Sequence, residues 1–158
     1  MKIISFILSF FCVFLISAQN DLDLYCYVKK KRSIKLMKKL NQNLRHYSFS
    51  DVKNLLSDIE SKEGSSAQIY DMYALIYWLK DDIFRAREYA NKCLALCSDN
   101  FSSSNYIIGM IHYDLRDWQI CVDYIEKATE IGLKTRFKEE AAFTLENAKI
   151  LAKIMRDT

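Results

Sequence analysis

The chain has 158 residues, of which 51% are hydrophobic and 27% are charged, and its formal net charge at pH 7 is +3. This composition is ordinary for one folded domain with a hydrophobic core. There is no proline and there are only three glycines, whereas sheets and loop-rich folds need more of both residues at their turns. The composition therefore favours an all-α fold.

Residues 1–18 are typical of a secretory signal peptide. Lys2 supplies a positive charge, residues 3–16 are almost wholly apolar, and Ser17 and Ala18 are small. An uncleaved membrane anchor is the alternative, but the apolar run is shorter than the ~20 residues that span a bilayer. We therefore expect cleavage after Ala18 and export of a soluble protein, periplasmic or secreted.

Residues 19–32 are predicted as an N-terminal helical extension. The helical pattern continues to residue 46, either as one long helix or as two helices with a break near Arg32–Ser33. A run of seven cations lies in this region, at Lys29, Lys30, Lys31, Arg32, Lys35, Lys38 and Lys39. The run indicates either a patch for an anionic membrane surface or an acidic partner, or a solvated face that pairs with acids elsewhere in the chain. Nucleic acid is not expected as a partner, because no aromatic residue is interleaved within the run.

Three helical hairpins are predicted next, over residues 33–66, 67–101 and 102–135. The central one is the clearest, with helices at 67–79 and 83–96 joined by an acidic turn. Residues 136–158 form the last predicted helix. A stack of hairpins leaves an apolar end, so this helix is expected to cap it with one polar face.

The hairpins repeat every 34 to 35 residues. Their turn residues Ser48, Asp82 and Asp117 have this spacing, which is typical of arrays with two helices per unit. Residues of matching type then occur along both helices of two units. In the central unit they are Tyr70, Tyr73-Ala74 and Tyr77 on the first helix and Ala86 and Cys93 on the second. In the third unit they are Asn105, Ile108-Gly109 and His112 on the first helix and Cys121 and Ala128 on the second. The pattern resembles that of the tetratricopeptide repeat (TPR) family. The family's proline after each second helix is missing, and the first unit is the weakest match.

The resemblance implies a short all-α solenoid that binds a protein or peptide along a concave surface. The first helix of each unit would line that surface with nine residues: Met37, Asn41, Leu44, Asp71, Leu75, Trp78, Tyr106, Met110 and Tyr113. We therefore expect a non-catalytic protein- or peptide-binding module acting outside the cytoplasm. The alternative is a structural or assembly component whose groove is filled by its own N-terminal helix or by another copy. Of the residues that clamp C-terminal carboxylates in some family members, this chain matches only Asn41.

Catalysis, cofactors and a metal site have little support in the sequence. There is no Gly-rich phosphate loop and no serine in a Gly-flanked turn, and His112 takes a slot where the family has a core-facing tyrosine. Four cysteines follow the signal peptide, Cys26, Cys93, Cys97 and Cys121. They are either buried thiols that serve as small hydrophobic residues or disulfide partners. The more useful disulfide would join Cys26 to one of the other three and hold the N-terminal helix on the array.

Overall fold

A computed structural model describes residues 25–97 and 100–157. Within these residues the chain is all-α, as predicted, and contains no strand. The predicted signal peptide lies outside the described residues. No helix in the described part is long and apolar enough to cross a membrane. The seven complete helices are α1 (Lys31–Asn43), α2 (Phe49–Glu63), α3 (Ala67–Trp78), α4 (Ile83–Leu96), α5 (Ser102–Asp114), α6 (Trp118–Ile131) and α7 (Thr135–Arg156).

The turns of the α3–α4 and α5–α6 hairpins have the same backbone geometry. Asp81 (φ 56°) and Arg116 (φ 64°) are the two described non-glycine residues with positive φ. The next residue in each turn, Asp82 or Asp117, is the N-cap of the second helix. The Asp82 amide donates to the carbonyl of Tyr77 at 3.1 Å, and the Asp117 amide donates to the carbonyl of His112 at 2.9 Å. The two turns therefore repeat at a spacing of 35 residues.

Equivalent aromatic pairs join the two helices of each of these hairpins. In the first, the rings of Tyr77 and Tyr89 stack with their centroids 5.6 Å apart. In the second, His112 stacks on Tyr124 at 6.1 Å, and its Nδ1 lies 3.1 Å from Oδ2 of Asp117. Tyr124 and Asp117 thus hold His112 within its own hairpin, where it serves as a structural residue at the edge of the core.

Gly109 allows α5 and α6 to approach closely. A Cβ added at Gly109 would lie 2.7 Å from both Cδ1 and Cγ1 of Ile125, and Ile125 is fully buried. This close approach is the physical reason for a glycine at this point of α5.

Replacing Gly109 with alanine is expected to lower the free energy of unfolding by up to about 2 kcal/mol, because overpacking costs about 1–3 kcal/mol and helix propensity returns only ~1 kcal/mol. Urea denaturation followed by circular dichroism measures the loss. In an Ile125→Ala background the same change should cost nothing, because the colliding atoms are gone. A Gly109→Ala protein more stable than the wild type would contradict this packing.

The first unit departs from the other two. A short 3₁₀ helix, Leu44–His46, follows α1, and the turn that leads to α2 has no positive-φ residue in the described chain. Among the described helices, α1 and α2 do not pack closely on each other, whereas α2 packs on α3 and α7 packs on α6. The first unit is therefore also the least regular in structure.

The segment of residues 25–30, here called the N-terminal strap, is tied to the helices at several points. A disulfide joins Cys26 to Cys97, with their Cα atoms 5.6 Å apart. The Glu63 carboxylate accepts hydrogen bonds from the amides of Lys29 and Lys30, both at 2.9 Å. Residues 27–30 are not helical. The alternative of one unbroken helix is therefore wrong, and the break precedes Arg32–Ser33.

Glu63 also serves the helix that follows the strap. Lys30 is the N-cap of α1 and offers no side-chain cap, and Glu63 at the end of α2 fixes this residue by accepting from its amide. Burial opposes ionisation of Glu63, but the hydrogen bonds from Lys30, Ser33 and Lys29 outweigh it and lower its pKa.

Candidate functional site

A pocket of about 440 Å³ lies where α1, the start of α3, the start of α5 and the α6–α7 connection meet. Three residues predicted for the binding groove, Met37, Asn41 and Asp71, line it together. Most of the other lining residues are polar or charged, which the sequence did not indicate for this face. The lining is completed by Tyr27, Ile34, Lys38, Gln68, Met72, Asn100, Phe101, Ser102, Ser103, Gly132 and Lys134.

The nine predicted groove residues lie at different depths. Asn41 is exposed, and Asp71, Trp78, Met110 and Tyr113 are half-buried. The other four are buried and belong to the hydrophobic core: Met37, Leu44, Leu75 and Tyr106. The accessible part of the predicted surface is therefore more polar than the full set of nine.

Tyr106 shows why part of this face is covered. Its hydroxyl donates to Oε2 of Glu140 at 2.6 Å, and its ring stacks on Phe137 with the centroids 4.8 Å apart. Both partners belong to α7, and the edge of Trp78 on α3 also approaches the ring. Burial raises the pKa of Tyr106, and the Glu140 carboxylate raises it further. The side chain therefore acts as a neutral core residue that joins three helices.

Asp71 caps a neighbouring helix. Its Oδ1 accepts hydrogen bonds from the amide of Ser104 at 2.9 Å and from the Ser104 hydroxyl at 2.8 Å. The N-cap of α5 itself, Phe101, has no side-chain cap. Burial raises the pKa of Asp71, although the hydrogen bonds from Ser104 and the charge of Lys134 oppose this.

Replacing Asp71 with alanine is expected to lower the free energy of unfolding by about 1–2 kcal/mol, because the cap of α5 is lost. Asp71→Asn should cost less, since its amide oxygen still accepts from Ser104.

The wild type should also lose stability relative to Asp71→Asn between about pH 4 and 7. The raised pKa means that the folded chain holds a proton which the unfolded chain releases near pH 4, so stability falls as the pH rises through the folded pKa. Urea titrations at both pH values test this, and a pH-independent difference would count against it.

The cations of the predicted basic patch lie outside the core. Lys31, Arg32, Lys35, Lys38 and Lys39 are exposed on α1, on the side opposite its buried residues Ser33, Met37 and Leu40. Lys29 and Lys30 belong to the strap, where the Lys30 ammonium donates to the carbonyl of Lys62. Within the described residues, none of the seven forms an ion pair. The structure thus gives no support to pairing with acids elsewhere in the chain, and contact with an anionic membrane surface or an acidic partner stays a prediction.

The remaining cysteines are buried. Cys93 and Cys121 are free thiols. Burial raises the pKa of Cys121 to about 11 and that of Cys93 well above its usual range, which keeps both protonated at neutral pH. In the described part of the chain, no three His, Cys, Asp or Glu residues are grouped to hold a metal ion.

No model of a protein family matches the chain, and no curated protein matches it. We therefore infer function from the geometry of the pocket and of the helices around it.

Proposed function

We propose that the chain is a TPR-like helical array that binds a segment of another protein, without catalysis, outside the cytoplasm. The observation that carries the proposal is the pocket of about 440 Å³ formed by α1, α3, α5 and the α6–α7 connection. Concave sites with a few convergent polar groups are the usual binding sites of proteins. Asn41 and Asp71 supply such groups, and Ile34 adds an exposed apolar side chain at the edge.

The TPR-like assignment is supported by the repeated geometry of two hairpins. The turns at Asp81 and Arg116 are alike, and the stacked rings of Tyr77–Tyr89 recur as His112–Tyr124. Export is supported by the Cys26–Cys97 disulfide, because disulfides persist mainly in oxidising compartments. Cleavage of the signal peptide after Ala18 remains part of the proposal.

A bulky residue at the pocket tests the proposal. Peptides selected from a displayed random library against the purified protein should lose about tenfold or more in affinity for Asn41→Trp, since the indole fills the site. Gln42→Trp is the matched control, because Gln42 is also exposed on α1 and is not part of the lining. Equal binding to both variants, or a library that yields no binder, would contradict the proposal.

The second candidate is an assembly component whose groove is filled by its own N-terminus or by another copy. It is favoured by Tyr27 of the strap, which lines the pocket and lies with its ring 5.6 Å from that of Phe101. Light scattering distinguishes the two candidates where a second copy fills the site. A dimer that dissociates on Asn41→Trp supports assembly, and a monomer that binds selected peptides supports the first candidate.

A further inference from the structure

Arg136, in the first turn of α7, has two buried nitrogens without acceptors. Its Nε and Nη2 have no hydrogen-bond partner within the described residues. Its guanidinium lies 4.5 Å from the ring centre of Phe137, which holds it in place. Buried N–H groups without an acceptor are rare, because they lose their bonds to water and gain none in return. The side chain is therefore positioned for an acceptor that the protein does not supply.

Two further cations lie near Arg136. Arg45 comes from the 3₁₀ helix after α1, and Lys134 is the N-cap of α7. Burial lowers the pKa of Arg136, and the charge of Arg45 lowers it further. Burial and the charge of Arg136 lower the pKa of Lys134. Arg136 is thus partly desolvated and is repelled by both neighbouring cations. Arg45, Lys134 and Arg136 are here called the cationic corner.

Two carboxylates among the described residues lie near this corner, but neither forms an ion pair with it. Asp71 raises the pKa of Lys134, yet its Oδ1 is engaged by Ser104. Glu140 follows Arg136 by one helical turn, but it accepts the hydrogen bond from Tyr106. In the described part of the chain no ion pair includes Arg45, Lys134 or Arg136. The three cations therefore outnumber the two nearby carboxylates, and Arg136 has no ion-pair partner among the described residues.

We propose that the cationic corner binds an oxyanion, the carboxylate or phosphate group of a ligand that occupies the pocket. Lys134 lines the pocket, and Arg136 lies two residues beyond it on α7. A guanidinium can donate two parallel hydrogen bonds to two oxygens of one carboxylate or phosphate. Such a group supplies the acceptors that Arg136 lacks and offsets the repulsion between Arg136 and its two neighbouring cations. This site goes beyond the binding of a protein segment, because a small anion would also occupy it.

Replacing Arg136 with methionine tests the site. Thermal unfolding is recorded with increasing sodium phosphate or sodium succinate, at an ionic strength held constant with sodium chloride. The wild type should gain stability to saturation with at least one of the two anions, and Arg136→Met should lose about tenfold or more in apparent affinity. Lys138→Met is the matched control, an exposed cation on the same helix, and should behave as the wild type. A response to phosphate alone identifies a phosphate site, and a response to succinate alone identifies a carboxylate site.

The unliganded proteins give a second readout. Without either anion, Arg136→Met should be at least as stable as the wild type, because one of three repelling charges is gone while the methionine stem still covers Phe137. A purely structural Arg136, paired in solution with Glu140, predicts the opposite: a less stable variant and no response of the wild type to anions. Either result would overturn the proposal, as would an equal loss of binding in Lys138→Met. If Arg136→Met does not fold, Lys134→Met provides the same comparison.

Discussion

Replacing Cys26 with serine is expected to lower the free energy of unfolding by about 4 kcal/mol. The disulfide joins residues separated by 71 positions, and closing a loop of this length removes much of the conformational entropy of the unfolded chain. Both sulfurs are buried, in a small cluster with Ala67, Cys93 and Phe101. The serine variant keeps nearly the same shape at Cys26, so most of the loss is assigned to the cross-link.

Urea denaturation with and without dithiothreitol measures this effect. The reductant should lower the midpoint of the wild type to that of Cys26→Ser, and it should leave the variant unchanged. The free thiols Cys93 and Cys121 are present in both proteins and so serve as an internal control. Thiol titration checks that the reductant has freed all four cysteines after Ala18. If the wild-type midpoint is then unchanged, the expected role of the disulfide is contradicted.

Replacing Tyr106 with alanine should lower the free energy of unfolding by about 3–5 kcal/mol. Tyr106 is the largest of the fully buried side chains in the described residues, with a relative exposure of 0%. Its ring joins α5 to Phe137 on α7, and its hydroxyl donates to Glu140. The sequence placed this residue on the binding surface, whereas its contacts are those of a core residue.

The conservative variant Tyr106→Phe separates packing from hydrogen bonding. It should cost only about 1 kcal/mol, because Glu140 is exposed and can be hydrated when the hydroxyl is lost. Thermal or urea unfolding of both variants gives the comparison. A Tyr106→Ala protein that keeps the stability of the wild type and loses only peptide affinity would show that the residue belongs to the groove surface instead.

The helices could be predicted well because the signals that define them are local. The predicted second helix of the central unit, residues 83–96, has the same bounds in the structure, since Asp82 accepts from the amide of Arg85 and fixes its start. Apolar residues at helical spacing likewise predict the last helix, residues 136–158, which spans Thr135–Arg156 in the structure. The sequence does not decide the disulfide partner of Cys26, because the choice among three cysteines depends on the path of the strap.

Depth and charge at the site could not be predicted from helical spacing. Helical spacing places Met37, Asn41 and Tyr106 on comparable faces, but only tertiary packing decides which of them is covered. Tyr106 is covered because α7 turns back over α5. The sequence does not reveal the cationic corner for a similar reason: Arg45 and Arg136 are distant in sequence, and only the tertiary fold brings their charges within interaction range.

Hydrogen exchange of the protein with and without a selected peptide is the most direct test of the proposed binding site. We expect added protection in α1, in the first turns of α3 and α5, and around residues 132–136, because these segments surround the pocket. The second helices of the hairpins, α2, α4 and α6, should exchange at the same rate in both samples. Protection confined to those helices, with none in α1 or around Lys134, would contradict the proposed site.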